Sequence, residues 1–284
     1  MAAATPTQPA IGNRSPLTLW HLLSLDAPTV AALWTWFIAR ASHIQLPISA
    51  LLAMFIAVWT LYAADRLLDS QSTNKSILEA RHRFHHRHRT AFLTGIALSS
   101  IALAALLPRI PAEAIRLYLI LGGFVFGYFI LIHATQSAHR LPKELAVGIC
   151  FAAATFIPTV ARQPSLRPAL LPPALLFATL CSLNCLFIYA WEHDPNHTAE
   201  HPAHPTTHLA LRHLPLIAIG ITLGSATLAL LDHRSPWPIP CGTAISAALL
   251  LLLHHRRQSI GPVILRAAAD LALLTPILLL PTLK

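Results

Sequence analysis

Apolar runs close to the length of a membrane crossing recur from one end of the chain to the other, and no other feature limits the fold so strongly. A helix rises about 1.5 Å per residue, so about 20 apolar residues cross a hydrocarbon core of about 30 Å. Nine runs reach or approach that length: Ala27–Leu46, Pro47–Ala64, Ala91–Leu107, Ala114–His133, Leu145–Val160, Ala169–Tyr189, Leu214–Leu231, Pro240–Leu253 and Pro262–Leu280. The fifth and eighth are short. With 55% hydrophobic and 11% charged residues, the chain holds more apolar sequence than a soluble domain of 284 residues needs for its core. The expected fold is all-α: a polytopic membrane protein of about nine transmembrane helices in one bundle. It forms a single domain over 1–284, with 1–20 as a flexible cytoplasmic tail. Pro-rich stretches at Leu107-Pro108, Leu171-Pro172-Pro173 and Ser235-Pro236-Trp237-Pro238 are expected to mark connections.

The first twenty residues lack a basic n-region, an apolar h-region and a small-residue cleavage site, so the first helix is expected to stay as an anchor. Ser24 and Asp26 before Pro28 suit a helix N-cap followed by proline in the first turn. Lys and Arg favour cytoplasmic loops. Nine spans with the N-terminus inside put Lys75, Arg81, Arg83, Arg87, Arg89, Arg140, Lys143, Arg256 and Arg257 on that side, the pattern of a cytoplasmic (inner) membrane protein. The net charge of +9 is partly this retention signal and implies no nucleic acid partner.

The acids are more asymmetric than the bases. In this topology only Glu113 and Asp232 face outward, whereas Asp26, Asp65, Asp69, Glu79, Glu144, Glu192, Asp194, Glu200 and Asp270 lie at or near the cytoplasmic end. Charges gathered on one rim point to a polar cavity open to the cytosol that holds an anion with its metal counter-ions; solvation of helix ends is the plainer explanation. Asp65 and Asp69 are four residues apart where the second run ends. Residues i and i+4 share a helix face, so the two carboxylates point one way and can hold a hard divalent cation. An echo occurs after the sixth run: Leu61-Tyr62-Ala63-Ala64-Asp65 parallels Ile188-Tyr189-Ala190-Trp191-Glu192, each with Tyr three residues before an acid.

These features resemble the UbiA superfamily of intramembrane prenyltransferases, which have nine helices and aspartate-rich motifs after helices two and six. Asp65 and Asp69 match the family's Asn-x-x-x-Asp-x-x-x-Asp, with Arg66 after the first acid and Leu61 in place of the Asn. Leu141-Pro142, Gly148 and Phe151 are similar to the family's spacing at the start of helix five. The second motif, Asp-x-x-x-Asp, is altered to Glu192-His193-Asp194-Pro195-Asn196. The resemblance implies Mg²⁺ held by Asp65, Asp69, Glu192 and Asp194, with isoprenyl diphosphate and a lipophilic acceptor as substrates. It implies that Arg66, Arg81, Arg83 and Lys143 engage the diphosphate. Tyr62 and Tyr189 would face the allylic cation, although an interfacial aromatic anchor explains either tyrosine equally well.

Histidine supplies a competing chemistry. The stretch Arg81-His82-Arg83-Phe84-His85-His86-Arg87-His88-Arg89 holds one His-x-x-His-His box, and His193, His197, His201, His204 and His208 recur later. Membrane di-iron hydroxylases and desaturases use several such boxes, but here arginines interrupt the only one, and a basic loop on anionic headgroups accounts for it. A catalytically degenerate UbiA-like protein is the third class, supported by the altered second motif. Arg266 and Asp270, at i and i+4, read by default as an intrahelical ion pair from which Asp270 could still border the cavity, and Cys150, Cys181, Cys185 and Cys241 read as small apolar residues.

Overall fold

The computed structural model describes residues 16–72, 84, 87–134, 143–192 and 205–283, and the elements among them are all helical. They are α1 (Pro16–Leu22), α2 (Asp26–Ala41), α3 (Ile48–Ser72), α4 (Arg89–Leu106), α5 (Ala112–Ala134), α6 (Lys143–Arg162), α7 (Arg167–Glu192), α8 (Pro205–Arg212), α9 (Leu214–Leu231), α10 (Pro238–Arg256) and α11 (Pro262–Leu271). Short 3₁₀ turns join several of them, and a longer one, Thr275–Thr282, follows α11.

Among the described residues, seven helical segments are long and apolar enough to cross a membrane: Ile48–Leu68, Arg89–Arg109, Lys143–Arg162, Pro164–Trp191, Leu214–Leu231, Pro238–Ser259 and Ile264–Thr282. This is the architecture of a multi-pass helical membrane protein. The first and fourth apolar runs coincide with α2, which has only 16 residues, and with α5, which has 23 and opens on Glu113 and Arg116. Residues 16–20, expected as tail, belong instead to α1, which packs on α11. Leu107-Pro108 and Pro236-Trp237 do lie in connections, but Pro172 and Pro173 lie inside α7. They fall in its second turn, where the missing N–H groups leave carbonyls free, and Ser235 Oγ donates to one of these, Ala169 O, at 2.8 Å.

The outer surface is what lipid requires. Leu61, Leu98, Ile101, Leu119, Phe124 and Leu230 are all exposed, and Phe92 is the buried residue of α4. Helix α4 leans on α3 through stacking of Trp59 on Phe92. Inside, α2, α6, α7, α10 and α11 close around Trp34, Phe37, Phe177, Leu180 and Phe187. Trp34 is the hub, with ring centroids 4.2 Å from Phe177 and 5.6 Å from Phe37. Helices α6 and α7 approach closely because Gly148 has no side chain: a Cβ there would strike the backbone N and Cα of Ser182.

Only a short turn joins α6 to α7, so the start of α6 and the end of α7 lie at one end of the bundle. Tyr62 shares a cavity with Val147 and Asn184, which brings the end of α3 to the same place.

The last crossing is broken in its middle. After Leu271 the chain turns, with the Leu273 N–H bonded to Asp270 O and the Leu274 N–H to Leu271 O, before the 3₁₀ segment begins. Such a break is tolerated at membrane depth only where neighbouring groups satisfy the freed backbone. Trp34 Nε1 donates to Leu273 O at 2.7 Å, and Thr275 Oγ1 donates to Gly242 O at 2.9 Å.

Candidate functional site

A buried polar cluster lies where α1, α2, α3, α7 and α11 meet. Ser24, at φ 57°, turns the chain sharply between α1 and α2, which brings His21 back onto the first residue of α2. His21 Nδ1 lies 2.6 Å from Asp26 Oδ2, with the two side chains 3% and 2% exposed. The other carboxylate oxygen of Asp26 accepts the Ala27 N–H at 3.0 Å. Asp26 is therefore not the N-cap that the sequence suggested; that position belongs to Leu25, which makes no side-chain cap.

From α3, Arg66 brings a guanidinium to 3.7 Å from Asp26 Oδ2 and donates to His21 O at 3.5 Å. From α11, Asp270 joins at the point where the helix breaks. Ligand atoms of His21, Asp26 and Asp270 all lie within 4.8 Å of one another, the one such grouping among the described residues. Asn184 on α7 donates Nδ2 to Asp270 Oδ1 at 3.2 Å, while its own Oδ1 is buried with no partner. Beside them is a cavity of about 30 Å³, lined in part by Tyr62, Gly148, Phe151, Asn184, Cys185 and Asp270.

Burial pulls the His21 imidazole below its ordinary value of 6.5; the hydrogen bond and charge of Asp26 oppose this, and Arg66 and Arg266 reinforce it. His21 is then neutral at pH 7. Its Nδ1–H donates to the Asp26 carboxylate and its Nε2 keeps a lone pair.

The residues expected from the sequence are placed differently. Tyr62 and Arg66, four apart on α3, face this cluster, whereas Asp65 is exposed and outside the cavity lining. Asp69 lies one turn further along α3. Lys143 opens α6 and is exposed, and its neighbour Glu144 accepts from Thr207 Oγ1 at 3.2 Å. Tyr189 is half-buried on α7 and Glu192 ends that helix. Arg81, Arg83 and Asp194 lie outside the described residues, as do His82, His85, His86, His193, His197, His201 and His204. Cys181 and Cys185 line the cavity as free thiols.

Comparison with protein-family models, curated proteins and solved structures finds no match.

Sequence reasoning missed His21 and Asn184 and gave Asp26 and Asp270 local roles. A signal existed in two cases. An ionisable residue inside an apolar crossing is a functional candidate by default, which applies to Asp270, and Asn184 is the corresponding polar residue within the apolar run of α7. The pairing of His21 with Asp26 depends on the turn at Ser24, and no helical spacing encodes it.

Proposed function

We propose that this protein is a Mg²⁺-dependent intramembrane prenyltransferase of the UbiA kind. In this reading it has nine crossings, an inner-membrane location and a cytoplasmic N-terminus, and it transfers a prenyl group from an isoprenyl diphosphate to an aromatic or other lipophilic acceptor. One observation supports the reading above the others. The ends of α3 and α7 and the start of α6, which carry Asp65, Asp69, Glu192 and Lys143, gather at one end of an otherwise apolar bundle.

Carboxylates are the donors that Mg²⁺ prefers, and Asp65 and Asp69 offer two from one helix, with Glu192 and Asp194 as the further ligands of this reading. When bound, Mg²⁺ supplies charge neutralisation to the diphosphate. Lys143, Arg81 and Arg83 bind the diphosphate oxygens, and Arg66 contributes positive charge from within the bundle. The allylic C–O bond breaks with its electron pair leaving on the diphosphate. The acceptor then bonds to that carbon and loses a proton. Tyr62 and Tyr189 present ring faces to the positive charge in transit. The cavity of about 30 Å³ is too small for a prenyl chain, so the tail lies between helices toward the lipid.

The test is binding of a non-hydrolysable isoprenyl diphosphate to the purified full chain in detergent, followed by diphosphate release from a reactive one. Mg²⁺-dependent binding and turnover that disappear in Asp65→Asn/Asp69→Asn are expected. A folded native protein that binds no isoprenyl diphosphate with Mg²⁺ present overturns the reading.

A further inference from the structure

From Pro205 to Leu231 and from Pro238 to Ser259 the chain holds no Asp or Glu, yet these stretches carry Arg212, Arg256 and Arg257. Helices α9 and α10 follow one another and pack side by side, so the start of α9 lies beside the end of α10. Arg212 ends α8, two residues before α9 begins, and Arg256 and Arg257 lie near the end of the crossing Pro238–Ser259. All three are exposed, and no ion pair among the described residues engages them, whereas Arg116 and Arg167 at the other end of the bundle share Glu113. Arg257 Nη1 folds back on its own helix and donates to His254 O at 3.0 Å, which leaves Arg212 and Arg256 as the outward cations. Glu144, the acid that touches α8, is taken by the Thr207 hydroxyl.

Below each arginine runs an apolar stripe. On α9, Leu216, Ile219 and Leu223 are exposed at helical spacing, and on α10 Leu252 is exposed one turn before Arg256. The opposite faces are occupied, with Leu214, Ala218 and Ile221 of α9 and Ala247 and Leu250 of α10 in the core. Helix α8 repeats the pattern in two turns: Thr207 is buried and Leu211 packs on the core, while His208, Leu209 and Arg212 form the outer face. A short helix whose outer face is part apolar and part cationic suits the boundary between acyl chains and headgroups. The tendency of basic residues to stay in the cytosol explains arginines at the ends of crossings, but it is nearly indifferent to acids and does not account for their absence here.

We propose that the edge formed by α8, the start of α9 and the end of α10 binds a diacyl phospholipid with a net-negative headgroup, its phosphate met by Arg212 and Arg256 and its chains lying along Leu216, Ile219, Leu223 and Leu252. Charge decides the class. A guanidinium offers paired N–H donors that match a phosphate, and a headgroup that also carries an ammonium finds no acid on these helices to receive it. The site faces lipid at the end of the bundle that carries the start of α6, and it stands whichever reaction the rim performs.

The full chain is purified in detergent, freed of lipid and titrated with dioleoyl phosphatidylglycerol or dioleoyl phosphatidylcholine, whose chains are identical, and bound lipid is counted by native mass spectrometry. Tighter retention of phosphatidylglycerol is expected. A basic side chain at a membrane surface contributes about fivefold to affinity for anionic lipid, so Arg212→Gln/Arg256→Gln should weaken phosphatidylglycerol by roughly 25-fold and leave phosphatidylcholine unchanged. Both residues are exposed, so the fold does not depend on them, and Arg212→Lys/Arg256→Lys, which keeps the charge, should keep the preference. Arg162→Gln/Arg234→Gln removes two exposed arginines at the other end of the bundle and should also leave it in place. Glycerol phosphate, which has the headgroup chemistry without chains, should not displace the lipid at equal concentration. Equal retention of the two lipids overturns the proposal. So does a loss in Arg212→Gln/Arg256→Gln no larger than in Arg162→Gln/Arg234→Gln, or displacement by glycerol phosphate.

Discussion

Replacing Trp34 with Phe tests whether the break in the last crossing is held open by one hydrogen bond. In an uninterrupted helix Leu273 O would accept the N–H of residue 277. Here the Ile277 N–H bonds instead to Leu274 O at 3.1 Å, a 3₁₀ contact, and Leu273 O is satisfied by Trp34 Nε1 at 2.7 Å. Trp34→Phe keeps an aromatic ring against Phe177 and Phe37 but leaves that carbonyl buried and unpaired, at about 1–3 kcal/mol. The smaller ring also leaves a void at a position with no exposure, adding on the order of 1 kcal/mol. The sum is a loss of about 2–4 kcal/mol. It can be measured as a fall in thermal midpoint in detergent and, more specifically, as faster hydrogen exchange at the amides of 273–277. A loss under about 0.5 kcal/mol with unchanged exchange at those amides would refute the idea that Trp34 supports the break.

Three further outcomes are expected. Gly148→Ala should destabilise by about 1–3 kcal/mol, because its methyl meets backbone atoms of Ser182 that cannot swing aside; Ser182→Ala in the same chain should not restore the thermal midpoint. Arg66→Met removes one partner of a buried ion pair and should cost about 3 kcal/mol by chemical denaturation, while the double variant Arg66→Met/Asp26→Leu should recover part of that loss. Asp232 accepts from Ser235 Oγ at 2.5 Å and from the Arg234 N–H at 2.9 Å, and these bonds hold its carboxyl below the ordinary 3.8. A depressed carboxyl stabilises above its unfolded value and loses that contribution as pH falls. Thermal midpoints of native and Asp232→Asn protein should therefore differ at neutral pH and converge toward the lowered value.

The length of apolar runs was enough to locate the long helices but not the short α1 and α8, because a crossing is defined by the run of apolar residues that makes it. Eight of the nine runs coincide with one helix each, and Leu214–Leu231 matches α9 residue for residue; the ninth, Pro262–Leu280, takes in α11 and most of the 3₁₀ segment after it. Irregular backbone was harder to read. Pro276, which has no N–H to give Ala272 O, marks a break legible in the sequence, but the partner that the Leu273 carbonyl finds there, Trp34, is 239 positions away. The buried cluster was illegible for the same reason. Asp26 satisfies the local pattern of an N-cap and Asp270 that of an ion pair with Arg266, so each had a sufficient short-range explanation. Only tertiary packing brings them together with His21 and with Asn184, whose Nδ2 donates to Asp270.

Helix geometry explains why the aspartate pair and the cluster are distinct. Residues 62 and 66 are four apart and share one face of α3, the face that meets α2 and α7. Residue 65 is displaced from residue 66 by about 100° around the axis, and residue 69 falls on the face of residue 65. Rotating α3 to turn Asp65 into the cavity would withdraw Arg66 from Asp26 and expose a charge pair that is now nearly dry. It would also carry Ala63 and Leu67, which pack on Phe92 of α4, out of their cluster. The cost of those losses fixes the rotation of α3. Asp65 therefore stays outside the cavity, while Tyr62 and Arg66 face the buried cluster from the same two turns of helix.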